Sequence, residues 1–326
     1  MEYFAPKLQA LLQNARHILL TAHERPDGDA IGAMLGLSHY LEQMGKSHLC
    51  FSNDRPAPYF DFLDIQRISS NPDDLRTQDF DVIVLLDIGD VKRTQATELL
   101  LKGEKKAQVV CIDHHPTRLE YEGRNVVDHA HINVQASSTA ELIYSFLTHV
   151  GAPITRAMAT SLLTGILTDT GGFANLATTP SAMGAAAELL ERGAVLKEIN
   201  DGTLKNKSLA MLRLWGIALS RLQRNVETGI ISTALFQKDF LECGVDVDAV
   251  DGFANFLNGL DDAKAAFFLK ELPDGLISGS YRTTQEGVDV SKMAAEYGGG
   301  GHVKAAGFTT PGTIIETPQG WTIKPA

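Results

Sequence analysis

The stretch His23-Glu24-Arg25-Pro26-Asp27-Gly28-Asp29 places His23, Asp27 and Asp29 directly after an apolar run, Ile18 to Ala22. The same arrangement returns at Asp87-Ile88-Gly89-Asp90, after Val82 to Leu86, and at Asp113-His114-His115, after Val109 to Ile112. Asp169, in Leu167-Thr168-Asp169-Thr170-Gly171-Gly172, closes a fourth apolar segment. Each has an ordinary reading alone: Pro-Asp-Gly is a turn, Asp29 caps the helix that follows, and Asp169 ends one. Turn chemistry gives no reason for four such clusters to sit at the ends of apolar segments, and a metal centre does. Carboxylates with a minority of imidazole and no thiolate suit Mn²⁺ or Mg²⁺, with histidine favouring Mn²⁺. Asp27, Asp29, Asp87 and Asp169 carry four negative charges, enough to offset two divalent ions. Such pairs generate hydroxide near neutral pH and stabilise attacking and leaving oxygens, the chemistry of phosphoester hydrolysis.

The second half carries a different motif. Tyr297-Gly298-Gly299-Gly300-Gly301-His302 precedes Val303-Lys304-Ala305-Ala306-Gly307-Phe308. Backbone N–H groups of the glycines are expected to form an anion-binding concavity, flanked by His302 and Lys304. Arg282 ends a β-like run, Ser278 to Arg282, where a guanidinium can grip a phosphate or stack on a base. His39, His48, His129, His131 and His149 match none of these positions, and Trp215 and Trp321 read as packing residues.

The elements that must position these groups follow from periodicity. Ile18–Ala22, His48–Phe51, Val82–Leu86 and Val109–Ile112 are short, continuous apolar runs, as strands of a parallel sheet buried on both faces require. Ala30 to Met44 has helical spacing and stops at Gly45; Ser138 to Val150 and Thr155 to Leu167 are helical on either side of Gly151-Ala152-Pro153. Ligands of open α/β sheets bind where strands meet their helices, which is where the acids fall. Ser181 to Leu222 reads as helical, and β-like runs resume at Ile230–Phe236 and Ala265–Leu269. The expected fold is α/β: an N-terminal parallel-sheet domain over residues 1–190, a helical connector over 191–225 and a smaller α/β domain over 226–326.

Composition narrows the setting. At 326 residues, two domains are expected, and a 44% hydrophobic content supports a sizeable core. Three cysteines without close pairs exclude a disulfide framework and a zinc-thiolate site. The N-terminus has no basic start or apolar stretch of a signal peptide, and no aliphatic run approaches the roughly 20 residues of a membrane span, so a cytoplasmic protein is expected. The net charge of -11 argues against a basic track for long duplex nucleic acid.

His23-x3-Asp27-x-Asp29-Ala30, Asp87, Asp113-His114-His115 and Asp169, in that order, resemble the motifs of the DHH phosphoesterase superfamily. Gly298 to His302, with Ala306-Gly307 following, resembles the hallmark of its DHHA1 substrate domain. The resemblance implies one metal on His23, Asp27 and Asp87 and a second on Asp29, Asp87, His114 and Asp169, with Asp87 shared. It implies that His115 contacts the scissile phosphate and that Asp113 orients a neighbouring imidazole. Arg282, Gly299, Gly300, Gly301 and His302 would hold substrate from the second domain. Overall length is similar to that of the NrnA-type oligoribonucleases, which also remove the 3′-phosphate from 3′-phosphoadenosine 5′-phosphate. The expectation is therefore a Mn²⁺-dependent phosphoesterase, with Mg²⁺ the alternative metal, converting very short single-stranded RNA or DNA to mononucleotides. A cyclic-dinucleotide or linear-dinucleotide phosphodiesterase and a non-catalytic nucleotide sensor are the alternatives, pyrophosphatase standing behind both. A homodimer is the expected assembly.

Overall fold

Aliphatic runs that alternate their burial between two faces build the first unit, residues 1–206. The computed structural model describes residues 1–94, 107–203, 207–250, 252–260 and 262–324. After helix α1 (Phe4–Asn14) come strand β1 (His17–Thr21), helix α2 (Gly28–Gln43), β2 (Ser47–Phe51), β3 (Ile68–Ser69), α3 (Pro72–Arg76), β4 (Val82–Leu86) and β5 (Gln108–Asp113). A small hairpin, β6 (Glu120–Tyr121) and β7 (Arg124–Asn125), precedes β8 (His129–Ile132). The main sheet has the order β3-β2-β1-β4-β5-β8, and every pairing in it is parallel. Ile18 and Leu20 pack with the helices on one face, whereas Leu19, Ile83, Leu85 and Val109 pack on the other. Burial on both faces explains why the strands read as unbroken aliphatic runs.

Helices α4 (Thr139–His149), α5 (Arg156–Asp169), α6 (Pro180–Glu191) and α7 (Leu196–Thr203) follow among the described residues of the unit. The contact between α2 and α5 is very close. A Cβ at Gly32 would lie 2.3 Å from the Ser161 carbonyl oxygen, and one at Gly165 would lie 2.5 Å from Ala140 Cβ and 2.8 Å from Asp29 Oδ1. Glycine at these crossings lets the first turn of α2, with Asp29, approach the last turn of α5, with Asp169.

The second unit, residues 207–326, contains α8 (Leu209–Ser220), β9 (Gln223–Arg224), β10 (Ile230–Leu235), α9 (Gln237–Cys243), α10 (Phe253–Leu257), β11 (Ala265–Glu271) and β12 (Leu276–Arg282). It continues with α11 (Val290–Ala295), β13 (Gly300–Gly301), β14 (Ala305–Pro311) and a hairpin of β15 (Thr313–Thr317) and β16 (Gly320–Lys324). Its sheet, β13-β14-β12-β11-β10-β9, is antiparallel except for the parallel β10–β11 pair. One face packs Phe267, Tyr281, Val290 and Phe308, and the other packs Leu214, Phe240, Phe253 and Phe268. Of the segment 191–225 expected as a connector, α7 belongs to the first unit and α8 to the second.

Candidate active site

The ends of β1, β4 and β5 lie side by side in the sheet, and the three loops leaving them bring the acids and imidazoles together. His23 Nε2 is 3.8 Å from Asp27 Oδ2 and 3.6 Å from Asp87 Oδ2. His114 Nε2 is 3.0 Å from Asp169 Oδ2, 3.7 Å from Asp87 Oδ1 and 3.8 Å from Asp29 Oδ2. His115 Nδ1 is 3.2 Å from Asp87 Oδ1 and 3.0 Å from Asp113 Oδ1. Within each of three groups, His23/Asp27/Asp87, Asp29/His114/Asp169 and Asp87/His114/His115, the ligand atoms lie within 4.8 Å of one another. Asp87 thus turns one oxygen toward His23 and the other toward His114 and His115. Its backbone has φ of +53°, unusual for a residue with a side chain and a mark of local strain.

Backbone hydrogen bonds hold these side chains in place. Asp27, and not Asp29, is the N-cap of α2, its Oδ1 accepting from the N–H groups of Asp29 and Ala30. Asp29 instead accepts from Thr139 N at 2.6 Å and Ala140 N at 2.8 Å, the start of α4. Asp113 Oδ2 accepts from Ile88 N and Gly89 N, both at 2.8 Å, fixing the turn after Asp87; its Oδ1 accepts from His115 N at 2.9 Å and from His115 Nδ1. His23 Nδ1 donates to the Glu24 carbonyl at 2.6 Å, which directs Nε2 toward the carboxylates.

The electrostatics are those of a site short of positive charge. Burial raises the Asp29 carboxyl well above its ordinary range, and the charges of Asp87, Asp169 and Asp27 add to this. Burial likewise raises Asp169, against the opposing pull of the His114 imidazole, to about 6. Burial would raise Asp27 too, but His23 and two backbone N–H groups hold it at about 2. Burial disfavours protonated His115, yet its bonds to Asp113 and Asp87 push it up to about 11. His114 Nε2 is buried and makes no hydrogen bond, although three carboxylates surround it. An orphaned imidazole nitrogen facing carboxylate oxygens is what a divalent cation requires of its ligands, so these residues fit a metal.

In the second unit, Arg282 Nε donates to Asn255 Oδ1 at 2.7 Å and Nη1 to the Tyr281 carbonyl at 2.9 Å. The glycine run is a tight return from α11 into β13. Gly298 N and Gly299 N donate to the carbonyls of Ala295 and Ala294, and His302 N to that of Ala305. A Cβ at Gly299 would fall 2.2 Å from the Gly307 carbonyl oxygen, so this glycine is needed for close packing. The expected concavity of open glycine N–H groups is therefore narrowed, since those of Gly298 and Gly299 are spent on the backbone, as is that of the flanking His302. Because His302 and Ala305 exchange both bonds, Gly301 pairs with Ala306 at a non-hydrogen-bonded position of the ladder, leaving its N–H on the outer side of this edge strand. His302 itself is exposed.

Comparison with known proteins accounts for both units. The DHH family N-terminal domain matches residues 17–166, and the DHHA1 domain matches residues 227–317. The bifunctional oligoribonuclease and PAP phosphatase NrnA of Thermus thermophilus is 32% identical over 299 residues, covering 92% of this chain and 86% of that protein. The chain belongs to the DHH family. NrnA of Bacillus subtilis is 26% identical, covering 89% of this chain and 88% of its own length. A crystal structure of an exopolyphosphatase-related protein from Bacteroides fragilis superimposes with a TM-score of 0.87 at 24% identity, covering 96% of this chain and 92% of that one, a likeness of fold.

Within the DHH unit, sequence reasoning passed over Thr139. Its hydroxyl lies 3.4 Å from Asp87 Oδ1 as a donor, and its N–H serves Asp29. The available signal was Ser137-Ser138-Thr139 at the head of a helix, which reads as capping alone. The histidines without assigned roles lie elsewhere: His39 faces Asp64 and Glu42, His48 bonds Ser38, and His129 and His131 belong to β8. Trp215 packs on Phe253, and Trp321 Nε1 donates to the Arg221 carbonyl.

Proposed function

We propose that this DHH protein is a Mn²⁺-dependent phosphodiesterase that degrades very short oligonucleotides to mononucleotides and removes the 3′-phosphate from 3′-phosphoadenosine 5′-phosphate. The observation that carries the reading is Asp87, whose two oxygens face two separate His/Asp groups. We assign His23, Asp27 and Asp87 to one ion and Asp29, Asp87, His114 and Asp169 to the other, with Mg²⁺ as the substitute metal. When bound, such a pair lowers the pKa of water and neutralises phosphate oxygens.

The remaining chemistry belongs to the chain. Asp113 fixes His115 through Nδ1, so that the opposite edge of the ring, on a side chain 30% exposed, is assigned to the scissile phosphate and its leaving oxygen. Asp113 and Asp87 favour the protonated form of His115 against the effect of burial. Asp113, with all its contacts to His115 and to the turn after Asp87, acts by positioning. Arg282, His302 and, within the Gly299–Gly301 backbone, the outward N–H of Gly301 are assigned to the nucleotide. The NrnA relatives are named for both activities, which supports this substrate class over the cyclic-dinucleotide alternative. Among the described residues no helix is long and apolar enough to cross a membrane, and all three cysteines are unpaired, which supports a reducing, cytoplasmic setting.

A substrate panel with Mn²⁺ tests the reading. It comprises 5′-phosphorylated RNA and DNA of increasing length from the dinucleotide, 3′-phosphoadenosine 5′-phosphate, cyclic dinucleotides and pyrophosphate. The highest kcat/KM is expected on the shortest linear oligonucleotides and on 3′-phosphoadenosine 5′-phosphate. A preference for cyclic dinucleotides or pyrophosphate overturns it, and absence of turnover on every substrate revives the sensor.

A further inference from the structure

Two residues beyond Asp87, Gly89 has φ of +59°, and the guanidinium of Arg93 lies over it: Nη1 is 3.4 Å from the position a Cβ would take there and 3.5 Å from the Ile88 carbonyl oxygen. The Arg93 carbonyl accepts from Glu24 N at 2.8 Å, so this residue also ties the β4 loop to the loop carrying His23 and Asp27. The side chain is exposed, and no described carboxylate lies within ion-pair distance of it, although four acids crowd the neighbouring site. Arg16, Arg67, Arg76 and Arg221, by contrast, each pair with a carboxylate. A guanidinium is well suited to bidentate phosphate recognition, and one with a single long bond to a carbonyl and no described carboxylate partner keeps most of its donors for a ligand.

We propose that Arg93 is a substrate-positioning residue that holds the phosphate neighbouring the scissile one in the nucleotide chain. This rests on the phosphodiesterase reading and adds to it a way of selecting substrates with more than one phosphate. The step from Asp87 to Gly89 spans at most roughly 7 Å, which suits a contact one phosphate away from the reacting group. Fixed positive charge here also offsets the acidic rim that a polyanionic substrate must approach.

The test compares wild type, Arg93→Ala, Arg93→Lys and Lys92→Ala on three RNA substrates with Mn²⁺: a 5′-phosphorylated dinucleotide, the same dinucleotide with a 5′-hydroxyl, and a 5′-hydroxyl trinucleotide. Bis(4-nitrophenyl) phosphate, which has no neighbouring phosphate, is the reference. Arg93→Ala is expected to lower kcat/KM roughly ten- to hundredfold where a neighbouring phosphate is present, with little change on the reference. Loss confined to the 5′-phosphorylated dinucleotide places the contact on the 5′ side, and loss confined to the trinucleotide places it on the 3′ side. Lys should restore part of the loss, and Lys92→Ala should leave the discrimination intact. Equal losses on all substrates, or the same loss from Lys92→Ala, overturn the proposal.

Should wild type hydrolyse the reference but no oligonucleotide, the oligonucleotide-substrate reading fails on its own. Arg93 is then judged by binding: adenosine 3′,5′-bisphosphate should raise Tm more than adenosine 3′-monophosphate in wild type and not in Arg93→Ala. Persistence of the difference in the variant overturns the proposal.

Discussion

His114 Nε2 stands 3.0 Å from Asp169 Oδ2, yet this buried nitrogen makes no hydrogen bond. Proximity without a hydrogen bond means that the two groups converge on a shared point and do not satisfy each other. Burial and the neighbouring acids keep Asp169 at about 6. The pair is thus costly when left alone and favourable around a cation.

Asp169→Asn should therefore remove one of the two Mn²⁺ ions proposed here and lower kcat/KM by at least about 100-fold, since it keeps shape and loses charge. Asp87→Ala should reduce both ions and abolish turnover, because it faces both groups. Metal analysis of the purified variants, read beside kcat/KM, separates the two. Unchanged metal content in Asp87→Ala would refute the sharing of that carboxylate. Chelation should also lower the wild-type Tm, as release of a ligand bound only by the folded state removes stabilisation, about 2.7 kcal/mol for a metal at 100 times its Kd.

Gly165→Ala is expected to disturb the site from a helix interior, although alanine is the better helix former. The added methyl would stand 2.5 Å from Ala140 Cβ and 2.8 Å from Asp29 Oδ1, both on elements that Asp29 itself joins. Relief requires α2, α4 and α5 to move apart, at a cost of roughly 1–3 kcal/mol. Thermal unfolding should show the loss, and metal affinity should weaken because Asp29 is displaced. A variant with unchanged Tm and affinity would mean that the crossing is more compliant than its distances imply.

The parallel strands were legible because burial on both faces demands continuous aliphatic runs, and Val82–Leu86 has the same bounds in sequence and structure. β8 was not, since His129-Ala130-His131-Ile132 contains no such run and becomes a strand by pairing with β5. The acids and imidazoles were legible because strand ends locate them without knowledge of packing. Their individual oxygens were not: Asp29 meets Thr139 across 110 residues of chain, a tertiary contact that displaces the local capping its position suggests. The glycine run shows the same limit. Four glycines read as open N–H groups, but the return from α11 spends those of Gly298 and Gly299 on the backbone, and the pairing of β13 with β14 leaves that of Gly301 facing outward.

Acid should act on the second unit through one ion pair. Asp239 is nearly fully buried; burial would raise its carboxyl, but the paired bonds from Arg221 and the Phe236 N–H hold it below its ordinary value. A depressed folded-state pKa means stability that is fully present above the unfolded value, near pH 4, and that is lost as pH falls through the folded value. Arg221→Met should destabilise by roughly 3 kcal/mol at neutral pH, because it strands a buried carboxylate. As pH drops below 5 and that carboxyl protonates, the difference between variant and wild type should shrink. Asp239→Asn should flatten the acid limb of the unit's unfolding profile. Denaturant unfolding from pH 3 to 7, followed by Trp215 and Trp321 fluorescence, measures all three slopes, and a difference that grows on acidification would reverse the assigned sign.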